Sequence, residues 1–530
     1  MTAISITVVE AHRLAIPTSH EESIPCSLLD STTANFSNAS AIWLFQKPTR
    51  ADFNLVYHLR ESLSRTLRFY PQWGGHLKAV KSTDGTVPTE AKSFPTHARR
   101  FGRLYAHYGT DNDPGVEFVH AKCDATLDSL YPADRIPRQR FWKCDSSVFQ
   151  KFMAPVTISQ PLKDVVKDKN GKLFPLLAIQ ITEMSCGGFA LALNGAHPLA
   201  DATTLLAFLK QWAQESRQSL EQSLEQAVPI SAPVFNPAII DNQAAGDIDA
   251  DEPNLDIIRQ VRSLPMHRFD WWHPDSTPPW PFKIPSPFDK QDLEPVGKSM
   301  PWAEWNVAEP VSNYVVHLSQ KQVTCLWKRA NENSSQKLSQ HDVILSHIWS
   351  CITRARGLEN DTDSIHCDLV YGVRSSFQLK KDFLGSPVVM MNIELPASEV
   401  VNPSSINTVA TQVRNTLKTI SDPSNMAAHL HSLAFEKSPQ RIWQAFLGRR
   451  HILVTTWARA GIYDIDFGFE STCRYAEGVV PEMDGNVLIK EAPGPPAKYW
   501  TDNGVDVSIH IRTEDMERLI RDPLLFPVDA

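Results

Sequence analysis

The 530-residue sequence lacks the marks of several protein classes. Its eight cysteines are scattered without a CxxC pair, which argues against a cysteine-based zinc framework or a dense disulfide scaffold. Acidic residues outnumber basic ones and give a formal net charge of −8, which disfavours non-specific binding of nucleic acid or anionic membranes. No apolar run approaches the roughly 20 residues of a membrane span, and the N-terminus has no signal-peptide pattern. We therefore expect a soluble, cytoplasmic protein.

Proline, in contrast, is abundant and unevenly placed, with 38 residues against 22 glycines. A polar stretch from about 218 to 255 is followed by ten prolines and five tryptophans between Leu264 and Pro310. Neither a helix nor a central strand tolerates proline at that density, so a long irregular connection is predicted. Its aromatic surface favours a docked crossover over a mobile linker, with the tryptophans serving as packing residues.

Hydrophobic periodicity outside this connection mixes helices and strands without a fixed repeat. Apolar residues at helical spacing predict helices at 53–70, 203–216, 320–331, 340–356 and 513–521. Short apolar or β-branched runs predict strands at 4–9, 116–121, 176–182, 189–193, 314–318, 369–373, 388–395, 452–457 and 505–511. This pattern predicts an α/β protein with mixed sheets in two lobes.

The pattern HxxxD, which could carry chemistry, occurs three times and begins at His107, His120 and His197. His107 lies in a polar, turn-rich stretch and is expected in an exposed loop, whereas His120 is expected within a sheet. Only His197, with Asp201, lies where a predicted strand gives way to a helix. A histidine there can take a proton from a hydroxyl or an amine that attacks a carbonyl. The motif by itself leaves catalysis and a structural histidine equally open.

A nucleophile for covalent catalysis is not evident in the sequence. No serine-hydrolase elbow, Walker loop or dinucleotide-binding GxGxxG pattern is present. Cys186 is expected to be a buried thiol in a strand, since nothing around it would lower its pKa. Direct attack on the carbonyl by the hydroxyl or amine of an acceptor substrate is therefore preferred over a covalent enzyme intermediate.

Six segments in the same order resemble the motifs of the BAHD-type acyl-CoA-dependent acyltransferases, and the drifted motifs resemble the fungal branch of that family. They are PCSLLD at 25–30, LRESLSRTLRFYPQWGGHL at 59–77, LAIQITEMSCGGF at 177–189, HPLAD at 197–201, LVTTWARAGIYDIDFG at 453–468 and VDVSIHIRTEDMERLIRD at 505–522. The resemblance spans nearly the whole chain. It implies two similar lobes of the chloramphenicol-acetyltransferase type with the active site in a channel between them. The expected divisions are an N-terminal lobe at 1–235, a Pro/Trp-rich crossover at 236–311 and a C-terminal lobe at 312–530.

The same resemblance implies roles for individual residues. His197 would be the general base, and Thr455 and Trp457 would contact the thioester oxygen or the tetrahedral intermediate. Asp201 would be structural and would pair with Arg374. The sequence departs from the family pattern at several positions, including Ala202 after the HxxxD motif, Phe469 and Glu470 in the DFGWG motif, and Ser386, where the family has asparagine. A structural motif remote from the chemistry would contain Asp466 and Gly468.

The implied function is transfer of an acyl group, expected to be acetyl or another short acyl, from acyl-CoA to a small acceptor. The acceptor would be a hydroxyl or amine compound of the secondary-metabolite kind, which attacks in a ternary complex. Acyl-CoA would be a co-substrate, with no metal, no permanently bound cofactor, no nucleic-acid partner and a monomeric chain. Two alternatives remain: a non-catalytic acyl- or ligand-binding homologue, and a member that uses carrier-protein-bound acyl donors.

Overall fold

The computed structural model describes residues 4–50, 53–163, 166–220, 232–332 and 334–527. Of the polar stretch at 218–255, residues 221–231 lie outside this described part. Within it, helices and mixed sheets alternate irregularly, as the α/β prediction requires. Every helix in the described residues is too short or too polar to cross a lipid bilayer.

The strands occur throughout the chain, from near its start to its last fifty residues. In chain order they are β1 (Ile6–Leu14), β2 (Glu22–Pro25), β3 (Ala39–Phe45), β4 (His76–Ala79), β5 (Leu104–Tyr108), β6 (Val116–Cys123), β7 (Phe141–Lys143), β8 (Leu177–Met184), β9 (Phe189–Gly195), β10 (Phe269–Asp270), β11 (Val311–Leu318), β12 (Ser364–Gly372), β13 (Val388–Pro396), β14 (Ile442–Trp443), β15 (His451–Thr456), β16 (Cys473–Gly478), β17 (Asn486–Glu491) and β18 (Val505–Arg512). Each of the predicted strands overlaps one of them.

The helices range from single turns to five turns. They are α1 (Leu28–Thr32), α2 (Leu55–Leu67), α3 (Leu127–Leu130), α4 (Arg135–Arg138), α5 (Ser146–Gln150), α6 (Ala202–Leu220), α7 (Ala238–Asp241), α8 (Leu255–Arg262), α9 (Gln320–Asn331), α10 (Gln340–Ala355), α11 (Ala397–Val401), α12 (Ile406–Ser421), α13 (Pro423–Phe435) and α14 (Thr513–Leu519). Helix α9 begins where the sequence places a cap, because Ser319 and Gln322 form a reciprocal capping box.

Two large sheets organise the molecule. One has six strands in the order β1-β6-β8-β9-β3-β16, and the other has seven in the order β13-β12-β15-β17-β18-β11-β7. Helices α2 and α6 belong to the apolar core of the first sheet, where the indole of Trp212 donates to Ser62 Oγ at 3.0 Å. Helices α10 and α12 belong to the core of the second. Since each sheet buries its own apolar side chains, the chain has two large cores.

The two halves of the chain exchange edge strands. Strand β16 comes from the C-terminal half and pairs with β3 at the edge of the six-stranded sheet. Strand β7 comes from the N-terminal half and pairs with β11 at the edge of the seven-stranded sheet. The exchange covers an edge of each sheet and links the two halves through backbone hydrogen bonds.

The proline-rich connection is docked on the protein. Its strand β10 pairs with β14, and the side chains of Phe269 and Met300 pack with Phe446 in a small apolar cluster. Asp270 and Arg441, both almost fully buried, form a two-pronged ion pair with bonds of 2.8 and 2.6 Å. Asp270 also accepts from the backbone nitrogens of Trp272 and Val296. Four hydrogen bonds therefore hold the connection at one carboxylate.

Two expectations from the sequence are wrong. His107 lies in the buried strand β5 and not in an exposed loop, and its Nδ1 contacts the hydroxyl of Ser23 at 2.8 Å. The polar residues that suggested a loop begin only after Tyr108. Cys186 is exposed, because β8 ends at Met184 and a turn with Gly187 at φ 83° carries the thiol outward.

We expect Asp270→Asn to lower the free energy of unfolding by about 3–5 kcal/mol, because it leaves the Arg441 guanidinium buried without its counter-charge. Thermal unfolding followed by tryptophan fluorescence measures the change. The matched control is Asp275→Asn, whose side chain is 84% exposed and should shift stability by less than about 0.5 kcal/mol. Equal melting of both variants would contradict the anchoring role of Asp270.

Candidate active site

A cavity of about 700 Å³ is lined by residues from both halves of the chain. Of the residues singled out from the sequence, the cavity brings together His197, Asp201, Thr455 and Trp457. Other polar groups in its wall include the amides of Asn35, Asn38 and Gln160 and the amine of Lys163. A volume of this size is sufficient for a small organic ligand.

His197 opens a single 3₁₀ turn (His197–Leu199) between β9 and α6. Backbone hydrogen bonds fix the chain before and after this turn. Ala196 N donates to Leu176 O at 2.8 Å, and Ala200 N donates to His197 O at 3.1 Å. The ring of Phe36 packs against the imidazole edge to face, with centroids 5.1 Å apart. The half-buried imidazole is therefore rigidly placed in the cavity wall.

The imidazole is oriented by Ser386, a residue that sequence reasoning did not place in the site. His197 Nδ1 lies 2.9 Å from Ser386 Oγ, which leaves Nε2 as the nitrogen available to the cavity. The backbone N–H of Ser386 in turn donates to Asp30 Oδ1 at 2.6 Å. The signal in the sequence was Ser386 itself, which stands where the resembled family has asparagine.

Asp30 is buried at the base of this arrangement. Its carboxylate forms a capping box with Ser27 at the start of α1, and burial raises its pKa to about 7 against the opposing hydrogen bonds of Ser27 and Ser386. Gly385 passes so close that a Cβ on it would lie 3.0 Å from Asp30 Oδ1, at a φ of 131°. Glycine is the residue suited to this backbone conformation and to the close contact with Asp30. The chain then continues directly to Ser386, which lies beside the imidazole.

Burial also governs the charge of His197. It lowers the pKa of the imidazole below the ordinary 6.5, and the opposing attraction of Asp201 is smaller. The ring is therefore neutral near pH 7, with a lone pair on one nitrogen. A neutral imidazole in a water-accessible cavity can accept a proton from a bound hydroxyl or amine.

Asp201 is held by a network that crosses from one half of the chain to the other. Arg374 Nη1 donates to Asp201 Oδ2, and Nη2 donates to Oδ1 at 3.0 Å. Asp201 Oδ1 also accepts from the backbone N–H of Thr204 in the first turn of α6. Arg374 and Thr204 both donate to the carbonyl of Gly385. The carboxylate is thus occupied by the protein and fixes the loop that carries Ser386.

Thr455 and Trp457 lie at the end of β15, on the seven-stranded sheet. Thr455 is half-buried and stands next to Leu488 of β17 in the parallel register. The backbone N–H of Trp457 donates to Ile489 O at 2.8 Å, and its side chain is 7% exposed. Both residues therefore line the cavity from the seven-stranded sheet, whereas His197 follows a strand of the six-stranded sheet.

Asp466 and Gly468 are not among the residues that line the cavity. Asp466 Oδ1 accepts from Gly468 N at 2.8 Å and closes a tight turn, in which Gly468 has a φ of 84°. The neighbouring Phe467 is buried, and its carbonyl accepts from Ser216 Oγ of α6 at 2.7 Å. The turn packs against the helix that follows His197.

Aromatic side chains form one wall of the cavity, which we call the aromatic wall. Four tryptophans of the proline-rich connection contribute to it, together with three aromatic residues that sequence reasoning missed. Its members are Trp271, Trp280, Trp302, Trp305, Phe36, Trp443 and Phe446. Trp302 lies 5.0 Å from Trp280 and 5.2 Å from Phe446, measured between ring centroids. The connection therefore contributes to the site as well as to packing.

Comparison with known proteins identifies relatives of the whole chain. The sequence profile described as the Transferase family matches residues 110–241 and 260–524. The curated protein "Acyltransferase AFT15-1" of Alternaria alternata is 24% identical over 99% of this chain and 98% of its own length. A "Hydroxycinnamoyltransferase" of Narcissus pseudonarcissus is 24% identical over 92% of both.

A solved structure with the same fold is F. graminearum TRI101, complexed with coenzyme A and deoxynivalenol. It superposes with a TM-score of 0.66 at 17% identity and covers 94% of this chain and 97% of its own. The two-lobed, mixed-sheet fold class expected from the sequence is thereby confirmed.

We expect Arg374→Gln to lower the free energy of unfolding by about 3 kcal/mol, because Asp201 would stay buried without its counter-charge. Thermal melting measures the loss. The control is Arg138→Gln, which breaks an exposed pair with Asp134 and should cost at most about 1 kcal/mol. An Arg374→Gln variant that melts with the wild type would show that the pair is not structural.

Proposed function

The chain belongs to the Transferase family, that of the acyl-CoA-dependent BAHD acyltransferases, and we propose that it uses His197 to acylate a small acceptor. The acyl group, acetyl or another short acyl, passes from acyl-CoA to a hydroxyl or an amine. The observation that carries this proposal is a neutral imidazole, fixed at Nδ1 by Ser386, in the wall of a cavity shared by both halves.

His197 acts as the general base. Its Nε2 takes the proton of the acceptor while the acceptor oxygen or nitrogen attacks the thioester carbonyl, and the tetrahedral intermediate then expels the CoA thiolate. The imidazolium that forms is stabilised because Nδ1–H donates to Ser386 Oγ. It returns its proton to the leaving sulfur, so the residue ends the cycle neutral. The acyl group goes directly to the acceptor in a ternary complex.

Thr455 and Trp457 face the same space from the opposite sheet. The hydroxyl and the indole N–H are hydrogen-bond donors of the kind that stabilise a developing oxyanion, and one such donor contributes about 3–4 kcal/mol. Asp201 stays out of the proton transfer because Arg374 and Thr204 engage its oxygens. Its role is to hold the loop that orients His197.

The aromatic wall suits an acceptor with an apolar body and one polar handle, since ring faces give contact area without requiring matched hydrogen bonds. Such a shape is common among secondary metabolites. For the donor, support comes from TRI101, whose structure holds coenzyme A together with deoxynivalenol. Free acyl-CoA is therefore the proposed donor, in preference to a carrier-bound acyl group.

We expect His197→Ala to lower turnover by about 10²–10⁴-fold while the melting temperature changes little, because only the base is removed. Release of free CoA thiol from acetyl-CoA, with a panel of small alcohols and amines, measures turnover. The control is His120→Ala, which removes a histidine of the same HxxxD pattern that instead pairs with Glu183 at 2.7 Å.

Normal turnover by His197→Ala would rule out the base. If the wild type bound acyl-CoA but never released thiol, a non-catalytic ligand-binding role would replace the proposal. If thiol were released from an acylated carrier protein but not from acyl-CoA, the carrier-bound acyl group would replace acyl-CoA as the proposed donor.

We expect kcat/KM to fall as the pH drops through a pKa below 6.5, since burial favours the neutral imidazole and only that form accepts a proton. Above this pKa kcat/KM should be constant, and below it kcat/KM should fall tenfold per pH unit, because protonation removes the base. Since the pKa is lowered in the folded protein, the fall should begin below pH 6.5. A pH–rate profile from pH 4.5 to 8 measures this limb. The residual activity of His197→Ala should not show this decrease at low pH. If both proteins showed the same decrease, a group other than His197 would be responsible for it.

A further inference from the structure

A cluster of three histidines lies outside the cavity and has no part in the proposed reaction. His366 is on β12, His451 is the first residue of β15, and His267 comes from the proline-rich connection. Their ligand-capable nitrogens all lie within 4.8 Å of one another. The rings of His366 and His451 stack with centroids 4.5 Å apart, and that of His267 lies 4.8 Å from His366. Three imidazoles from separate segments thus form one compact cluster.

A buried carboxylate lies beside the group. Asp368, whose side chain is fully buried, has Oδ1 at 3.2 Å from His267 Nε2 and Oδ2 at 3.5 Å from His451 Nδ1. Because each imidazole meets a different oxygen, the carboxylate bridges the two rings, and the three imidazoles by themselves form the candidate ligand set. Tetrahedral zinc with ligands at about 2.0–2.1 Å separates neighbouring ligand atoms by about 3.3 Å, so binding would draw the imidazole nitrogens closer together.

The polar atoms of this group are poorly satisfied without an ion. Among the described residues, the buried nitrogens His267 Nε2 and His451 Nδ1 lie 3.2 and 3.5 Å from the oxygens of Asp368, without the alignment of a good hydrogen bond. Native proteins rarely leave buried polar atoms without a well-aligned partner, and a bound ion is one established reason for such an arrangement. The side chain of His451 is only 4% exposed, so bulk water does not compensate.

Neighbouring groups also fix the orientation expected of metal ligands. Asn392 Oδ1 lies 3.0 Å from His366 Nδ1 and can only accept, so Nδ1 carries the hydrogen and Nε2 keeps its lone pair. The backbone N–H of Phe446 donates to Asp368 Oδ2 at 2.9 Å and holds the carboxylate in place.

We infer that His267, His366 and His451 form a structural site for one divalent transition-metal ion, with zinc favoured by the three imidazole nitrogens, and that Asp368 orients two of these ligands. The cluster lies outside the cavity, so the ion would not contact a substrate. The ion joins the proline-rich connection, through His267, to the seven-stranded sheet, through His366 and His451. Since Phe446, a member of the aromatic wall, donates its backbone N–H to Asp368, the ion would also steady that wall.

The test uses the full-length protein, stripped with a chelator and titrated with Co²⁺ and then Zn²⁺. We expect one equivalent of Co²⁺ to give the visible absorption of a four-coordinate site, Zn²⁺ to displace it, and the melting temperature to rise. Asn392→Ala, which removes only the orienting acceptor, should weaken metal affinity by about 10–100-fold. His366→Gln should weaken it further.

The matched control is His347→Gln, which changes a buried histidine on α10 whose Nε2 contacts Leu525 O at 2.9 Å, away from the cluster. It should bind metal like the wild type. Circular dichroism of each stripped protein confirms that it is folded before titration. Less than half an equivalent of Co²⁺ or Zn²⁺ bound by the folded wild type would overturn the inference. Equal affinity in His366→Gln and the wild type would do the same.

Discussion

The ion pair between Asp201 and Arg374 is the interaction on which the geometry of the site depends. It joins the loop after β9 to the segment after β12. Arg374 and the hydroxyl of Thr204 also donate to the carbonyl of Gly385. Because the pair is nearly buried, neither charge can turn to water, and the two segments keep one relative position. Ser386 follows Gly385 directly and is thereby brought to His197.

A second constraint acts on the proline-rich connection. A chain segment with so many prolines cannot use regular hydrogen-bond ladders, so its position depends on a few side chains. Asp270 and Arg441 supply one such anchor, and the histidine cluster with Asp368 supplies another. Between them the segment presents its tryptophans to the cavity. The same residues that look like a spacer in the sequence therefore shape the surface that an acceptor would meet.

Much of the fold could be predicted because its signals are local. The leucine spacing of α2, the cap at Ser319 and the strand-to-helix transition at His197 each involve residues within a few positions of one another. The short edge strands β7 and β16 could not be predicted, because three to six residues carry little periodicity and their partners lie in the other half of the chain. His107 was misplaced for a related reason: the polar residues after it masked the strand that precedes them.

The sequence alone determined which residue types were available for chemistry and where the local backbone would hold them. It placed His197 at the end of a strand, and the resemblance of its motifs named Asp201, Arg374, Thr455 and Trp457 as companions. Only the tertiary structure decided that Ser386, 189 residues away, would orient the imidazole, and that three separate histidines would meet around Asp368. Such meetings depend on how sheets and loops pack across the whole molecule. Local propensity does not encode them, because the energy of each contact is realised only when both cores have formed.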